Sequence, residues 1–243
     1  MPIEKHLVEF HSSVAVIFSP KVNRLFMSVY EKGYPQRAYR NKPNTIGGNP
    51  SVVNGIRDLG PLVTLERELR EEINPDHPEE LEFGYTELWA PREQIRLIRD
   101  SVLENLDINS KFRDYFVNIK RIGSPEEKMN LPGSGIFSVF CSQISQATLD
   151  CLEYNINTMR RTITEGYAGT FTIDQLVKAA KIDPYQISCA HLTPIILNDF
   201  FFPINRISHP GNITVKSTDN VRNSYENYLN DNNLEHKDSW LRR

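Results

Sequence analysis

Residues 64–76 read TLERELREEINPD, four glutamates and two arginines set against three aliphatic side chains. Leu65, Leu69 and Ile73 recur at four-residue spacing, and Leu62 precedes them, which is the stripe of an amphipathic helix. Pro61 suits a first helical position, where the missing N–H leaves no bond unmade, and Asn74-Pro75 stops the run. The spacing therefore predicts a helix over 61–74 that brings Glu68, Glu71 and Glu72 onto one sector. Like charges so placed repel by roughly 0.2–0.5 kcal/mol per pair. A divalent cation would remove that conflict, and carboxylate oxygens suit the hard ion Mg2+, with Mn2+ as an alternative. The same residues admit a purely structural account, in which Glu66 with Arg70 and Arg67 with Glu71 are ion pairs on a solvated face.

Upstream, residues 13–19 (SVAVIFS) and 24–30 (RLFMSVY) are apolar and rich in β-branched side chains, and a turn-like Ser-Pro-Lys separates them; they read as adjacent strands. Residues 31–61 contain GYPQRAYRNKPNTIGGNP and read as a long loop, a length that tends to carry function. Downstream, 81–89 (LEFGYTELW) reads as a strand, and 91–117 as an amphipathic helical segment with Ile95, Ile98, Val102 and Leu106 on one face. A strand is expected over 136–144, a helix over 147–157, a short strand over 170–173 leading into a helix over 174–181, and another helix over 190–201. Beyond residue 210 the chain turns polar and asparagine-rich, so a weakly ordered tail is expected over 210–243.

The chain has 243 residues, 24% of them charged, with a formal net charge of -3. That length allows a sizeable core, and one domain over 1–209 is expected. The slightly acidic balance provides no broad basic field for a long nucleic acid and suits a small, nucleotide-sized partner. Three cysteines, Cys141, Cys151 and Cys189, are too widely spaced for a zinc knuckle or a disulfide framework and read as reduced thiols. No secretory signal or membrane span is indicated, so a cytoplasmic location without a membrane partner is expected.

Residues 67–72, Arg-Glu-Leu-Arg-Glu-Glu, are similar to the core of the Nudix box, written G-x5-E-x7-R-E-U-x-E-E-x-G-U with U aliphatic. Gly47 and Gly48 resemble the glycine pair that opens the box, and the two upstream strands stand where the Nudix fold begins its sheet. The resemblance implies an α/β/α sandwich with a mixed sheet, here carrying a helical insertion at 91–117. It also implies metal binding by Glu68, Glu71 and Glu72, oriented by Arg67, and hydrolysis of the diphosphate linkage in a nucleoside diphosphate joined to another moiety. Three positions depart from the pattern. The loop from Gly48 to Arg67 is about five residues longer, Leu59 stands where a glutamate is expected with Asp58 beside it, and Asn74 replaces the closing glycine.

Such chemistry needs a base and a cation for the phosphate oxygens. Glu165, in TEGYAGTFTIDQL, lies in a segment similar to the late loop that supplies a base in many Nudix enzymes; Glu126 and Glu127 are weaker candidates. Arg37 and Arg40, with Lys42, precede the glycine pair and could meet substrate phosphates. Tyr34, Tyr39 or Phe83 could stack on a base, although packing roles are commoner, and His191 reads as a core histidine. The helical segment with its stripe Ile95, Ile98, Val102 is read as packing on the sheet, with a cap over the substrate pocket or a homodimer contact as the alternatives. A catalytically inactive Nudix-like module that binds a nucleotide or protein is the alternative to an enzyme, and cleavage of capped RNA is disfavoured by the net charge.

Overall fold

The computed structural model describes residues 10–19, 22, 24–34, 39–53, 56–58, 60–76, 88–107, 113–119, 135–182 and 213–217. Its centre is strand β1 (Phe10–Ser19), whose alternating side chains face opposite ways: Val14, Val16 and Phe18 enter one apolar core, Ala15 and Ile17 the other. With both faces buried, residues 14–18 of β1 form an unbroken apolar run. Strand β2 (Arg24–Val29) pairs antiparallel with it, as the repeated pattern predicts. The helix α1 (Pro61–Glu72) begins on Pro61 and is capped by Ile73, whose N–H reaches the Leu69 carbonyl at 2.9 Å.

The expected loop at 31–61 contains four short strands: β3 (Pro43–Asn44), β4 (Ile46–Gly48), β5 (Val52–Val53) and β6 (Ile56–Arg57). β3 lies on β2, β4 lies on β1, and β5 and β6 form a small ladder of their own. The helical segment expected at 91–117 is corrected. Helix α2 runs Arg92–Glu104, then strands β7 (Leu106–Asp107) and β8 (Arg113–Ile119) follow. In β8, Tyr115 and Val117 bury themselves in one core, while Asp114 accepts a hydrogen bond from the buried Ser138 hydroxyl at 2.5 Å. This alternation has a period of two, which overrides the helical spacing of the residues before it. Ile95, Ile98 and Val102 are fully buried in the core between the helices and the sheet, the packing role expected of that stripe, and are not available for a homodimer contact.

Strand β9 (Gly135–Gln143) runs parallel to β1, with Phe10 opposite Gly135 and Phe18 opposite Gln143. Helix α3 (Gln146–Asn157) is capped by Ser145, whose hydroxyl accepts from the Thr148 N–H at 3.1 Å. Strand β10 (Tyr167–Thr172) pairs with β2 and leads into α4 (Ile173–Ile182). Strand β11 (Ile213–Ser217) pairs with β8, so part of the expected tail belongs to the sheet. The principal strand order is β10-β2-β1-β9-β8-β11, a mixed sheet.

Helices α1, α2 and α3 cover one face, with Leu65, Leu69, Ile98 and Leu149 among the buried side chains. Helix α4 covers the other through Ile173, Leu176 and Val177. The fold is of the α/β class, an α/β/α arrangement as expected. Each fully buried Ile or Leu in these layers contributes about 1.5–3 kcal/mol relative to exposure. The strand expected at 81–89 and the helix at 190–201 lie outside the described residues, apart from Leu88 and Trp89; Trp89 makes an isolated parallel bridge with Arg161. Among the described residues, no helix is long and apolar enough to cross a membrane.

Candidate functional site

The three glutamates of α1 do not share one environment. Leu65, Leu69 and Glu72 lie on the buried side of the helix, so Glu72 is only 4% exposed, while the Glu68 side chain is 18% exposed and that of Glu71 is 54% exposed. The Glu72 Oε1 accepts the Gly47 N–H at 3.2 Å, and its Oε2 is buried with no hydrogen-bond partner. Burial first, then the charge of Glu165, pushes the Glu72 carboxyl well above the usual carboxylate range. Glu68 is raised as well, chiefly by burial and further by Glu71 and Glu165, although Arg67 pulls it down.

Arg67 gathers the site. Its Nε donates to Asp58 Oδ2 at 3.1 Å, Nη1 to Glu71 Oε2 at 2.7 Å, and Nη2 to both Glu68 Oε1 at 2.7 Å and the Asn49 carbonyl at 2.8 Å. The ion pair expected between Arg67 and Glu71 is therefore present, and it is one arm of a larger hub. Asp58, buried and also bonded to the Ser51 N–H at 3.0 Å, anchors the lengthened loop onto α1. Asp58 is thus committed to a guanidinium and a backbone amide. The sequence offers Asp58 as a carboxylate beside Leu59, but nothing local links it to residue 67, so its pairing with Arg67 is not legible there.

The glycine pair sits in β4, directly over these carboxylates. A Cβ on Gly48 would stand 2.5 Å from the Glu68 carboxyl carbon, so the missing side chain makes the space that Glu68 occupies. Gly47 has φ 143, and a Cβ there would meet the Ser13 carbonyl oxygen at 2.1 Å.

Glu165 lies in the bend after Arg161, next to the carboxyl end of α1. Thr164 docks that bend: its N–H donates to the Glu72 carbonyl at 2.8 Å and its hydroxyl to the Glu71 carbonyl at 3.0 Å. These are the carbonyls a helix end leaves unpaired. Desolvation first and Glu71 second push the Glu165 carboxyl upward, and the charge of Glu165 acts in turn on Glu68 and Glu72. The structure thus places Glu165 with the α1 glutamates.

Tyr30 and Tyr34 line the same neighbourhood, their rings stacked 4.1 Å apart at 8° with Tyr39 tilted beside them. Tyr34 and Tyr39 pack here on one another and on Tyr30. Burial, then Glu72, raises the Tyr30 phenol far above its ordinary value, so it is a neutral hydrogen-bonding group. The Arg40 Nε donates to the Tyr34 carbonyl, which ties it to the loop beside the tyrosines. Arg37, Glu126, Glu127, Phe83 and His191 lie outside the described residues.

The donor set fits a hard cation in one respect: Glu72 Oε2 is buried without a partner, in a carboxylate whose proton affinity is raised by the charges of Glu165, Glu68 and Glu71 after burial itself. Among the described residues, no three His, Cys, Asp or Glu side chains stand close enough to form a complete cage. Arg67 holds one oxygen each of Glu68 and Glu71. Mg2+ tolerates such an arrangement, since it binds through one or two carboxylates and fills its shell with water and phosphate oxygens.

No protein-family model matches the chain, and no curated protein matches it. Among solved structures it is similar to a bifunctional NMN adenylyltransferase/ADP ribose pyrophosphatase from Francisella tularensis, complexed with AMP and a Mn ion, at 12% identity and a TM-score of 0.32. The similarity covers 71% of this chain and 36% of that one. A likeness this slight assigns neither family nor activity, and the α/β class stands on the mixed sheet and its flanking helices alone.

Proposed function

We propose that the chain is a divalent-cation-dependent hydrolase that cleaves the diphosphate linkage of a nucleoside diphosphate joined to another moiety. The observation that carries this reading is the buried carboxylate of Glu72, one oxygen unpartnered, set beside Glu68, Glu71 and Glu165 under the Gly47-Gly48 strand. A buried anion among like charges is costly unless a cation or proton compensates it. Glu72 and Glu68 would hold Mg2+ or Mn2+, with Glu71 at the exposed rim. When bound there, the ion would screen the diphosphate charge and make water a stronger acid.

The remaining steps belong to the chain. Arg67 keeps Glu68 and Glu71 in fixed orientations through bonds of 2.7 Å each. Glu165, its proton affinity raised, takes a proton from the attacking water, since an elevated carboxylate is a better base near neutral pH. Arg40, tied to the loop beside the tyrosines, would meet the phosphate oxygens.

The test is nucleotide or phosphate release from a panel of nucleoside diphosphate derivatives with Mg2+, repeated on Glu71→Gln and Glu72→Gln. Turnover by the wild-type chain that falls at least about 100-fold in Glu72→Gln supports the reading. A second reading, a nucleotide-binding module without turnover, is favoured by one observation: Arg67 already occupies one oxygen each of Glu68 and Glu71. Binding of the same compounds by wild type with no Mg2+-dependent product would establish it.

A further inference from the structure

Arg161 is held in an unusual setting for an arginine outside the acidic helix. Its backbone is fixed on both sides, with its N–H donating to the Leu88 carbonyl and its carbonyl accepting from the Ala90 N–H, each at 2.9 Å. The guanidinium lies over the rings of Trp89 and Tyr167, 5.2 and 5.3 Å from their centroids. Its Nη2 donates to Glu31 Oε1 at 2.9 Å, to the Gly166 carbonyl at 3.0 Å and, more weakly, to the Thr164 carbonyl at 3.3 Å. The last two residues are the immediate neighbours of Glu165.

Both neighbours are also fixed from elsewhere. Thr164 is bonded to the end of α1. Gly166 has φ 80 and lies so close to β2 that a Cβ would stand 2.2 Å from the Val29 carbonyl oxygen. The bend is therefore pinned to α1, to β2 and to the Trp89 bridge, and Glu165 projects from its middle. We propose that Arg161 is a positioning residue, holding the 164–166 bend so that Glu165 faces the carboxylate end of α1. The inference rests on the hydrolase reading for its catalytic consequence.

One guanidinium nitrogen, Nη2, reaches two carbonyls of one bend while the planar group lies over the Trp89 and Tyr167 rings, a stacked placement that a flexible ammonium does not hold. Arg161→Met removes the Nη2 donor and the charge, and Arg161→Lys retains the charge and a single donating nitrogen. The measurement is a double-substitution cycle with Glu165→Gln, comparing kcat and KM for hydrolysis of the diphosphate substrate. Misplacing a base by about an ångström costs on the order of 100-fold in rate. Arg161→Met is expected to lower kcat by about that factor with KM little changed, Arg161→Lys to recover part of it, and Arg161→Met to have no further effect once Glu165→Gln is present. Rate losses that multiply in the double variant would overturn the proposal, because the two residues would then act independently.

Amide hydrogen exchange at Thr164 gives a readout that needs no activity. Arg161→Met should speed exchange there by about tenfold or more while the β10 amides paired to β2 keep their protection. Unchanged Thr164 exchange would also overturn the proposal. Faster exchange in a chain that hydrolyses no substrate would uphold the positioning role and refute the hydrolase reading.

Discussion

Arg67→Met tests the organisation of the site, because it withdraws every donor of one guanidinium at once. The four bonds differ in worth. The contact with Glu71, whose side chain is 54% exposed, is a surface pair at four-residue spacing and contributes about 0.3–0.5 kcal/mol. Asp58 is 7% exposed, and removing the partner of a buried charge costs about 3–5 kcal/mol. The Ser51 N–H that remains on Asp58 keeps the loss toward the lower end, whereas the freed Glu68 and the released Asn49 carbonyl push it upward. The expected net loss is about 3–5 kcal/mol, which for a chain of this size lowers Tm by roughly 6–20 °C. Circular-dichroism melts at pH 7 with a chelator present, run beside Glu71→Gln, provide the comparison. Glu71→Gln should shift Tm by no more than about 2 °C. If Arg67→Met also melts within about 2 °C of wild type, the buried pair with Asp58 does not anchor the loop and the hub described above is wrong.

Glu72→Gln keeps the shape of the side chain and removes a buried charge, so the metal-free protein should gain about 1–3 kcal/mol at pH 8 in urea unfolding, while Mg2+ should cease to raise its Tm. The pH dependence follows from the same cause: Glu68, Glu72 and Glu165 all bind protons more tightly folded than unfolded. Their contribution is complete below the unfolded glutamate value of about 4.3 and is lost as pH rises through the higher folded values, so the metal-free chain should weaken from mildly acid to neutral pH. Added Mg2+ competes with those protons, and its increment in Tm should grow over the same interval; an increment that shrinks would contradict the site. Gly48→Ala should leave a folded chain with a displaced Glu68 and weakened Mg2+ binding, measured by calorimetry. Gly47→Ala, whose Cβ meets backbone at positive φ, should instead reduce the yield of folded protein.

Much of the sheet was legible because β1, β2 and β9 are dominated by apolar side chains, broken only by small polar residues inside the runs, and need no partner to be recognised. Helix α1 was legible from Pro61 and its aliphatic stripe. Residues 43–57 were not, since β3 and β4 are short and owe their extended form to pairing with β2 and β1, a long-range effect without a local signature. In β8 the charged residues Arg113 and Asp114 continued an apparently helical pattern, and the burial of Asp114 against Ser138 became intelligible only with β9 in place. The acidic residues of the site were found by spacing, but spacing treated Glu68, Glu71 and Glu72 as equals. Their separation into exposed and buried depends on which side of α1 meets the sheet. The Asp58–Arg67 pair and the contact of Arg161 with Glu31 join residues that local patterns do not connect.

The parallel ladder between β1 and β9 also bears on how the chain reaches its native state. Phe10 must wait for Gly135, and at about 5–20 residues per second of synthesis that interval is on the order of ten seconds. During it the β1–β2 hairpin would present an open apolar edge at the ribosome, a template for unwanted pairing with other nascent chains. Chaperone dependence during translation should therefore exceed that of a chain whose central strands are neighbours in sequence.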